Sequence, residues 1–224
     1  MPTNPVLSTP VIAVDGTAAS GKGTLARRLA RHFGYAYLDT GLLYRAVAFS
    51  ARNASEQAEI DEKTAVLAAE TLDPSNMDEA GLRSDEIAQA ASQIAAMEGV
   101  RHALIGLQRR FAAHPPGGAA GAVLDGRDIG TVICPGAQAK FFINADVEIR
   151  ATRRVKELLE RGVAAIHARV LQEMRERDER DRSRSVAPLV PAEDAYILDT
   201  TEMDADAAFA TALNYIESRN LSQA

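Results

Sequence analysis

The sequence has no tryptophan, one cysteine and only 5% aromatic residues. A lone Cys134 can form neither an internal disulfide nor a multi-cysteine metal site, which suits a reducing compartment. The four histidines, at 32, 102, 114 and 167, lack metal-ligand spacing and read as structural or surface residues. No run approaches the ~20 apolar residues that a membrane helix needs. The opening "MPTNPVLSTP" lacks a basic region followed by an apolar core, so neither a secretory leader nor a membrane partner is expected. Its three prolines mark residues 1–10 as a flexible tail. A basic excess is missing too: the formal charge is −6, which argues against a general nucleic-acid binder. A cytoplasmic protein is expected.

What is present is an ordinary globular composition, 46% hydrophobic and 25% charged over 224 residues, enough for one sizeable core. Candidate strands are "VIAVD" (11–15), "YAYLD" (35–39), "AVLD" (122–125), "AKFFINA" (139–145) and "AYILD" (195–199). Segments rich in Ala, Leu, Arg and Glu separate them and read as helices. Such alternation predicts a parallel sheet covered by helices on both faces. Residues 54–83 read as helix and loop, 85–97 as an Ala-rich helix, and "PPGGAAG" (115–121) as a break. The charged stretch 146–184 reads as helix, interrupted near Gly162. Asp15, Asp39, Asp125 and Asp199 end strands, where open α/β sheets bind ligands. Taken alone, Asp39 and Asp199 read rather as turn or cap residues.

The first strand runs into "DGTAASGKGT", residues 15–24. Backbone N–H groups at a Gly-rich turn that feeds a helix concentrate partial positive charge on an anion. Gly16 and Gly21 permit close approach, and Lys22 can reach the outer phosphates. The usual phosphate-loop pattern puts a hydroxyl directly after the lysine; here Gly23 fills that slot and Thr24 follows. "TLARRLARHF" continues with helical apolar spacing, which completes the strand–loop–helix context of a triphosphate site.

No [NT]-K-x-D tetrapeptide is present, and the D-x-x-G at 78–81 follows no strand, so a switch GTPase is not favoured. A small-molecule kinase fits the length better. An acceptor hydroxyl often needs a base, whereas an acceptor phosphate is already largely dianionic at neutral pH. The latter needs positive charge and alignment, which arginine supplies bidentately. Arginines stand beside several motifs: Arg45, Arg83, Arg127, Arg177, Arg180, Arg182 and Arg184. A nucleic-acid role for 150–184 is disfavoured, because seven acids interleave there and no aromatic residue offers stacking.

Together "GKGT", "LDTGLLYR", "AASQIAA", "VRHAL", "LDGRDIGTV" and "RERDERDRSRSVAPLVPAEDAYILDTT" resemble the bacterial cytidylate kinases, P-loop kinases of nucleoside monophosphates, over residues 11–218. In that family the hydroxyl follows "GKG", which accounts for Thr24. The resemblance implies an α/β fold with a five-stranded parallel sheet flanked by helices. It implies a single P-loop kinase domain over residues 11–224, with an acceptor-binding arm over about 40–100 and an arginine-bearing lid over about 150–184. It implies ATP- and Mg²⁺-dependent phosphoryl transfer to CMP or dCMP, giving CDP or dCDP and ADP, by a monomer. Another small-molecule P-loop kinase, or a nucleotide-binding regulator without activity, is the alternative.

By the same resemblance, Gly16, Thr17, Ala18, Ala19, Ser20, Gly21, Lys22, Gly23 and Thr24 hold the ATP phosphates, Lys22 on the transferring group and Thr24 near Mg²⁺. Asp125 partners the metal's waters. Arg150, Arg153 and Arg154 begin the lid and are candidates to neutralise the triphosphate. Arg45 and Arg127 hold the CMP phosphate, Arg184 is aimed towards it, and Asp39 and Thr40 line the same cleft. Ser92, Arg101 and Asp128 match positions that read cytosine, whose O2 and N3 acceptors and N4 donor suit an arginine-like donor with a carboxylate. Arg177 and Asp181 approach the ribose. Lys22, Asp125, Arg127 and Arg184 form the implied catalytic set. Without the resemblance, Arg177, Asp181 and Arg184 at i, i+4, i+7 read as one solvated helix face with an ion pair.

Two departures from the family stand out. The arm lacks the small β-stranded insert that many relatives carry, so it is expected to be truncated or recast as helix and loop. Thr17 and Ala19 replace a frequent proline and glycine at variable slots, and the cradle is expected to survive.

Overall fold

Val11–Gly16 forms the central strand β1, buried at every position, as a strand covered on both faces must be. The computed structural model describes residues 9–54, 60–74, 77 and 81–219. Most of the predicted tail, residues 78–80 and the Arg83 side chain lie outside them. Thr9 and Pro10, assigned to the tail from sequence, are tied to the body: the Thr9 hydroxyl donates to the Ala113 carbonyl at 3.2 Å and Ala122 N–H to the Pro10 carbonyl at 2.9 Å.

The chain runs β1, α1 (Lys22–Phe33), β2 (Ala36–Asp39), α2 (Thr40–Ala54), α3 (Glu62–Glu70), α4 (Asp85–Ile94), α5 (Glu98–Ala113), β3 (Ala122–Gly126), β4 (Ala139–Asn144), α6 (Val147–Glu160), α7 (His167–Ser183), β5 (Tyr196–Asp199) and α8 (Ala205–Ser218). All four strand pairings are parallel, in the order β2-β3-β1-β4-β5. Alternation along β1 divides the core. Val11 and Ala13 join Leu43, Val47, Ile94 and Leu104 on one face, and Ile12 and Val14 join Leu25, Leu29, Phe141 and Ile216 on the other.

Between β1 and β3 the register sets Val14 against Asp125 and Asp15 against Gly126, and β2 sets Asp39 against Asp125. Three strand ends with carboxylates therefore open on one crevice, where the strand order reverses.

Among its described residues the stretch 40–100 holds helices joined by loops and no strand, with α3 capped by Asp61 and α4 by Ser84. Two boundaries differ from the sequence reading. The helix predicted over 85–97 ends at Ile94, and α5 starts at Glu98. No Gly or Pro marks this break; instead Arg101 Nη1 donates to the Ala95 carbonyl at 3.4 Å. The charged stretch breaks at Gly162, in the left-handed region at φ 74°, and α7 stops at Ser183, so Arg184 stands just beyond the helix face it was predicted to share.

Candidate active site

The loop after β1 is shaped by two left-handed residues, Ala19 (φ 57°) and Gly21 (φ 89°). Its carbonyls are taken by side-chain donors of the loop itself and of the body. Thr17 O accepts from the Ser20 hydroxyl at 2.9 Å, Ala18 O from Arg150 Nη1 at 3.2 Å, and Ser20 O from the Thr200 hydroxyl at 2.8 Å. Helix α1 starts at Lys22 behind Gly21 with no side chain capping it, unlike α3, α4, α6 and α8. The free N-terminal amides and the helix dipole make this end an anion seat. Thr17 is buried and its hydroxyl donates to Asn144 Oδ1 at 3.2 Å, so the substituted slot ties the loop to β4.

The helix arrangement places Lys22 Nζ 3.7 Å from Asp125 Oδ1. Burial, reinforced by Arg127, lowers the Lys22 pKa to about 8. Burial also raises the Asp125 pKa, with Lys22 opposing it. A Cβ at Gly23 would stand 2.9 Å from Asp125 Oδ2, so the glycine after the lysine leaves room for the carboxylate.

Beside this pair lies a cavity of about 260 Å³. It gathers all ten residues assigned to the acceptor: Asp39, Thr40, Arg45, Ser92, Arg101, Arg127, Asp128, Arg177, Asp181 and Arg184. Lys22, Asp125 and Arg154 line it as well. Asp181, 1% exposed, is the hub: Arg127 Nε donates to its Oδ2 at 2.9 Å and Arg184 Nη2 to its Oδ1. Burial works against its ionisation, yet Arg127, Arg177 and Arg184 outweigh that and hold its pKa below the usual range. The solvated-face reading of 177–184 is thereby corrected. Asp181 is buried, and its partners are Arg127 and Arg184 rather than Arg177. Burial and the neighbouring Arg127 lower the Arg177 pKa to about 9, a mark of crowded positive charge.

At the far end, Arg101 Nη2 pairs with Asp128, and its Nη1 donates to the Tyr44 hydroxyl at 3.3 Å. Ser92 Oγ and the Nε groups of Arg101, Arg177 and Arg184 are buried with no hydrogen-bond partner among the described residues. Such unmet groups are costly unless a ligand completes them. Asp15 sits beneath, accepting from Ile129 and Gly130 N–H at 2.8 Å each, and so pins the turn after "DGRD". Burial raises its pKa to about 7.

The lid arginines divide. Arg150 is a fixture, its guanidinium on Asp178 at 2.6 Å and its Nε on the Ala145 carbonyl at 2.8 Å. Arg153 donates to the Thr200 carbonyl at 2.6 Å and the Met203 carbonyl at 3.3 Å. It lines a second cavity, of about 330 Å³, with Ser20, Gly21 and Thr24. Arg154 pairs with Asp85 of the arm and, at 2.8 Å, with Glu157. The two cavities adjoin at Ala19 and Glu157. Gly16 and Thr17 line neither cavity. Asp199 has the turn role: its Oδ1 accepts from Thr201 N–H at 2.8 Å. Sequence reasoning missed Tyr37, Tyr44, Asp85 and Asp178; each acts through a partner far away in the chain, and no local pattern announces that.

The sequence profile of the cytidylate kinase family matches residues 12–218. The chain belongs to the cytidylate kinase family. A cytidylate kinase of Paramagnetospirillum magneticum is 60% identical over 93% of this chain and 98% of its own length. Those of Methylocella silvestris and Xanthobacter autotrophicus are 55% and 56% identical, over 93% of this chain and 94% and 98% of theirs. A crystal structure of an uncharacterized Eubacterium ventriosum protein aligns with a TM-score of 0.53 at 16% identity, over 94% of this chain and 99% of that one, a likeness of fold alone. Among the described residues no helix is long and apolar enough to cross a membrane.

Proposed function

We propose that the protein transfers the γ-phosphoryl group of ATP to CMP or dCMP, giving CDP or dCDP and ADP. The observation that carries this reading is the single cavity in which Arg45, Arg127, Arg177 and Arg184 converge within reach of the phosphate loop. The CMP phosphate is a dianion near neutral pH and attacks without a base. The chain's task is to bring two anions together and align them.

Arg127 and Arg184 hold the acceptor phosphate, sharing the carboxylate of Asp181 until it arrives. Arg45 grips it from α2. Arg177 and Asp181 meet the ribose, and Ser92, Arg101 and Asp128 meet the cytosine edge. On the donor side the loop amides and Lys22 hold the phosphates, and the second cavity takes the rest of the nucleotide beside Arg153.

The residues fit Mg²⁺. Thr24 offers a hydroxyl and Asp125 a carboxylate, hard oxygen donors suited to an ion that keeps several waters and binds phosphate. Gly23 leaves the space that a side chain would fill. When bound, the ion neutralises charge developing on the phosphoryl oxygens. Thr24 would hold it and Asp125 its waters.

A coupled ADP-release assay across CMP, dCMP, UMP, AMP and shikimate tests the reading. Release that depends on CMP and dCMP is expected. Inactivity with CMP overturns it, whether another acceptor works or ATP binds with no transfer at all.

A further inference from the structure

Tyr37 has no part in the mechanism above, yet its hydroxyl lies against that mechanism's central carboxylate. The residue sits on β2, its ring packed against the core face that carries α1. Its hydroxyl donates to Asp125 Oδ2 at 3.1 Å. Arg27 Nη1, from α1, donates to the same hydroxyl at 3.3 Å, with the guanidinium carbon 5.6 Å from the ring centroid. Asp125 thus has one oxygen on Tyr37 and the other towards Lys22 Nζ, 3.7 Å away. Its Oδ2 is also the atom that a side chain at Gly23 would strike at 2.9 Å.

We infer that Tyr37 is a positioning residue for phosphoryl transfer: its hydroxyl, oriented by Arg27, fixes the rotation of the Asp125 carboxylate. Asp125 is 4% exposed, so water is poorly placed to replace the bond. An unrestrained carboxylate would turn towards Lys22 and engage the lysine that the donor phosphates need. With Tyr37 in place, one oxygen is committed and the other stays presented at the loop. Gly23 and Tyr37 therefore serve one end, the first leaving room for Asp125 Oδ2 and the second holding it there. The inference rests on the reading of Asp125 as the carboxylate that meets the metal's waters.

The test compares Tyr37→Phe, Asp125→Asn and the double variant, with Arg27→Gln as a second, surface-side probe. Tyr37→Phe keeps the ring packing, so its melting temperature should stay close to that of the parent protein. Its kcat should fall roughly tenfold, the scale of one hydrogen bond to a charged group, with KM for CMP little changed. Calorimetric titration of ATP with Mg²⁺ and of ATP with EDTA should show a smaller Mg²⁺-dependent gain in affinity for Tyr37→Phe. Arg27→Gln should move both readouts the same way by a smaller factor. On the Asp125→Asn background, Tyr37→Phe should change neither, because the group it positions is gone. A full tenfold further loss in the double variant overturns the inference, as does a Tyr37→Phe enzyme with unaltered kcat and Mg²⁺ gain. If Asp125→Asn itself keeps its rate and Mg²⁺ gain, the reading of Asp125 fails and the inference falls with it.

Discussion

Position 23 shows how one atom can decide a motif. The pattern with a hydroxyl directly after the lysine is common among phosphate loops, yet here a Cβ at that place would meet Asp125 Oδ2 at 2.9 Å. The carboxylate cannot yield easily, being buried and bonded to Tyr37. Gly23→Ser, which brings the loop closer to the general pattern, is therefore expected to lower kcat by roughly tenfold or more while ATP affinity stays within about threefold. Steady-state kinetics with a nucleotide titration would show it, and an unchanged kcat would count against the steric account. Ala19 is a milder case: its φ of 57° is the left-handed conformation that glycine adopts freely, so the slot is less permissive than the sequence suggested. Neither fact was legible in the sequence, since the first depends on a residue about a hundred positions away and the second on loop geometry.

At the level of elements, the strands were legible almost to the residue, because each is a short apolar run, and those of β1 and β3 are buried at every position. "VIAVD" became Val11–Gly16 and "AKFFINA" became Ala139–Asn144. Breaks marked by glycine, as at Gly162, were equally plain. The break between α4 and α5 was not, because no Gly or Pro marks it; the Arg101 side chain of α5 donates to the Ala95 carbonyl there. The end of α7 matters most for function: Arg184 leaves the helix and turns back onto Asp181. Arg184→Ala removes one partner of the buried Asp181 charge and, on the function proposed, an acceptor-phosphate contact with it. A loss of about 100-fold in kcat/KM for CMP is expected, with ATP binding within about threefold. Equal losses in both would return Arg184 to a purely structural role. Helices α6 and α7 also touch α4, through Arg154 on Asp85 and Arg180 Nη2 on Gln89 Oε1 at 2.7 Å, and Asp85, Gln89 and Arg154 line the same cavity.

The whole molecule resolves a tension in its composition. Although the net charge is −6, Arg45, Arg101, Arg127, Arg177 and Arg184 gather around one cavity beside the ends of β1 and β3, so the positive charge there is local rather than a property of the whole chain. The strand order makes this possible by bringing "GKGT", "LDTG" and "DGRD" to one crevice, while α7 and the residue just beyond it add Arg177 and Arg184 across it. Of the residues around this cavity, the arginines were legible from phosphate chemistry, whereas Ser92 and Asp181 taken alone read as a buried small residue and a surface ion pair and were singled out only through the family resemblance. The central claim is that the phosphate goes to another phosphate. Phosphorus NMR of the protein with ATP, CMP and Mg²⁺ tests it most directly. The β-phosphorus signal of CDP should grow in step with ADP while inorganic phosphate stays flat; ADP with inorganic phosphate, or no CDP signal, would contradict the account.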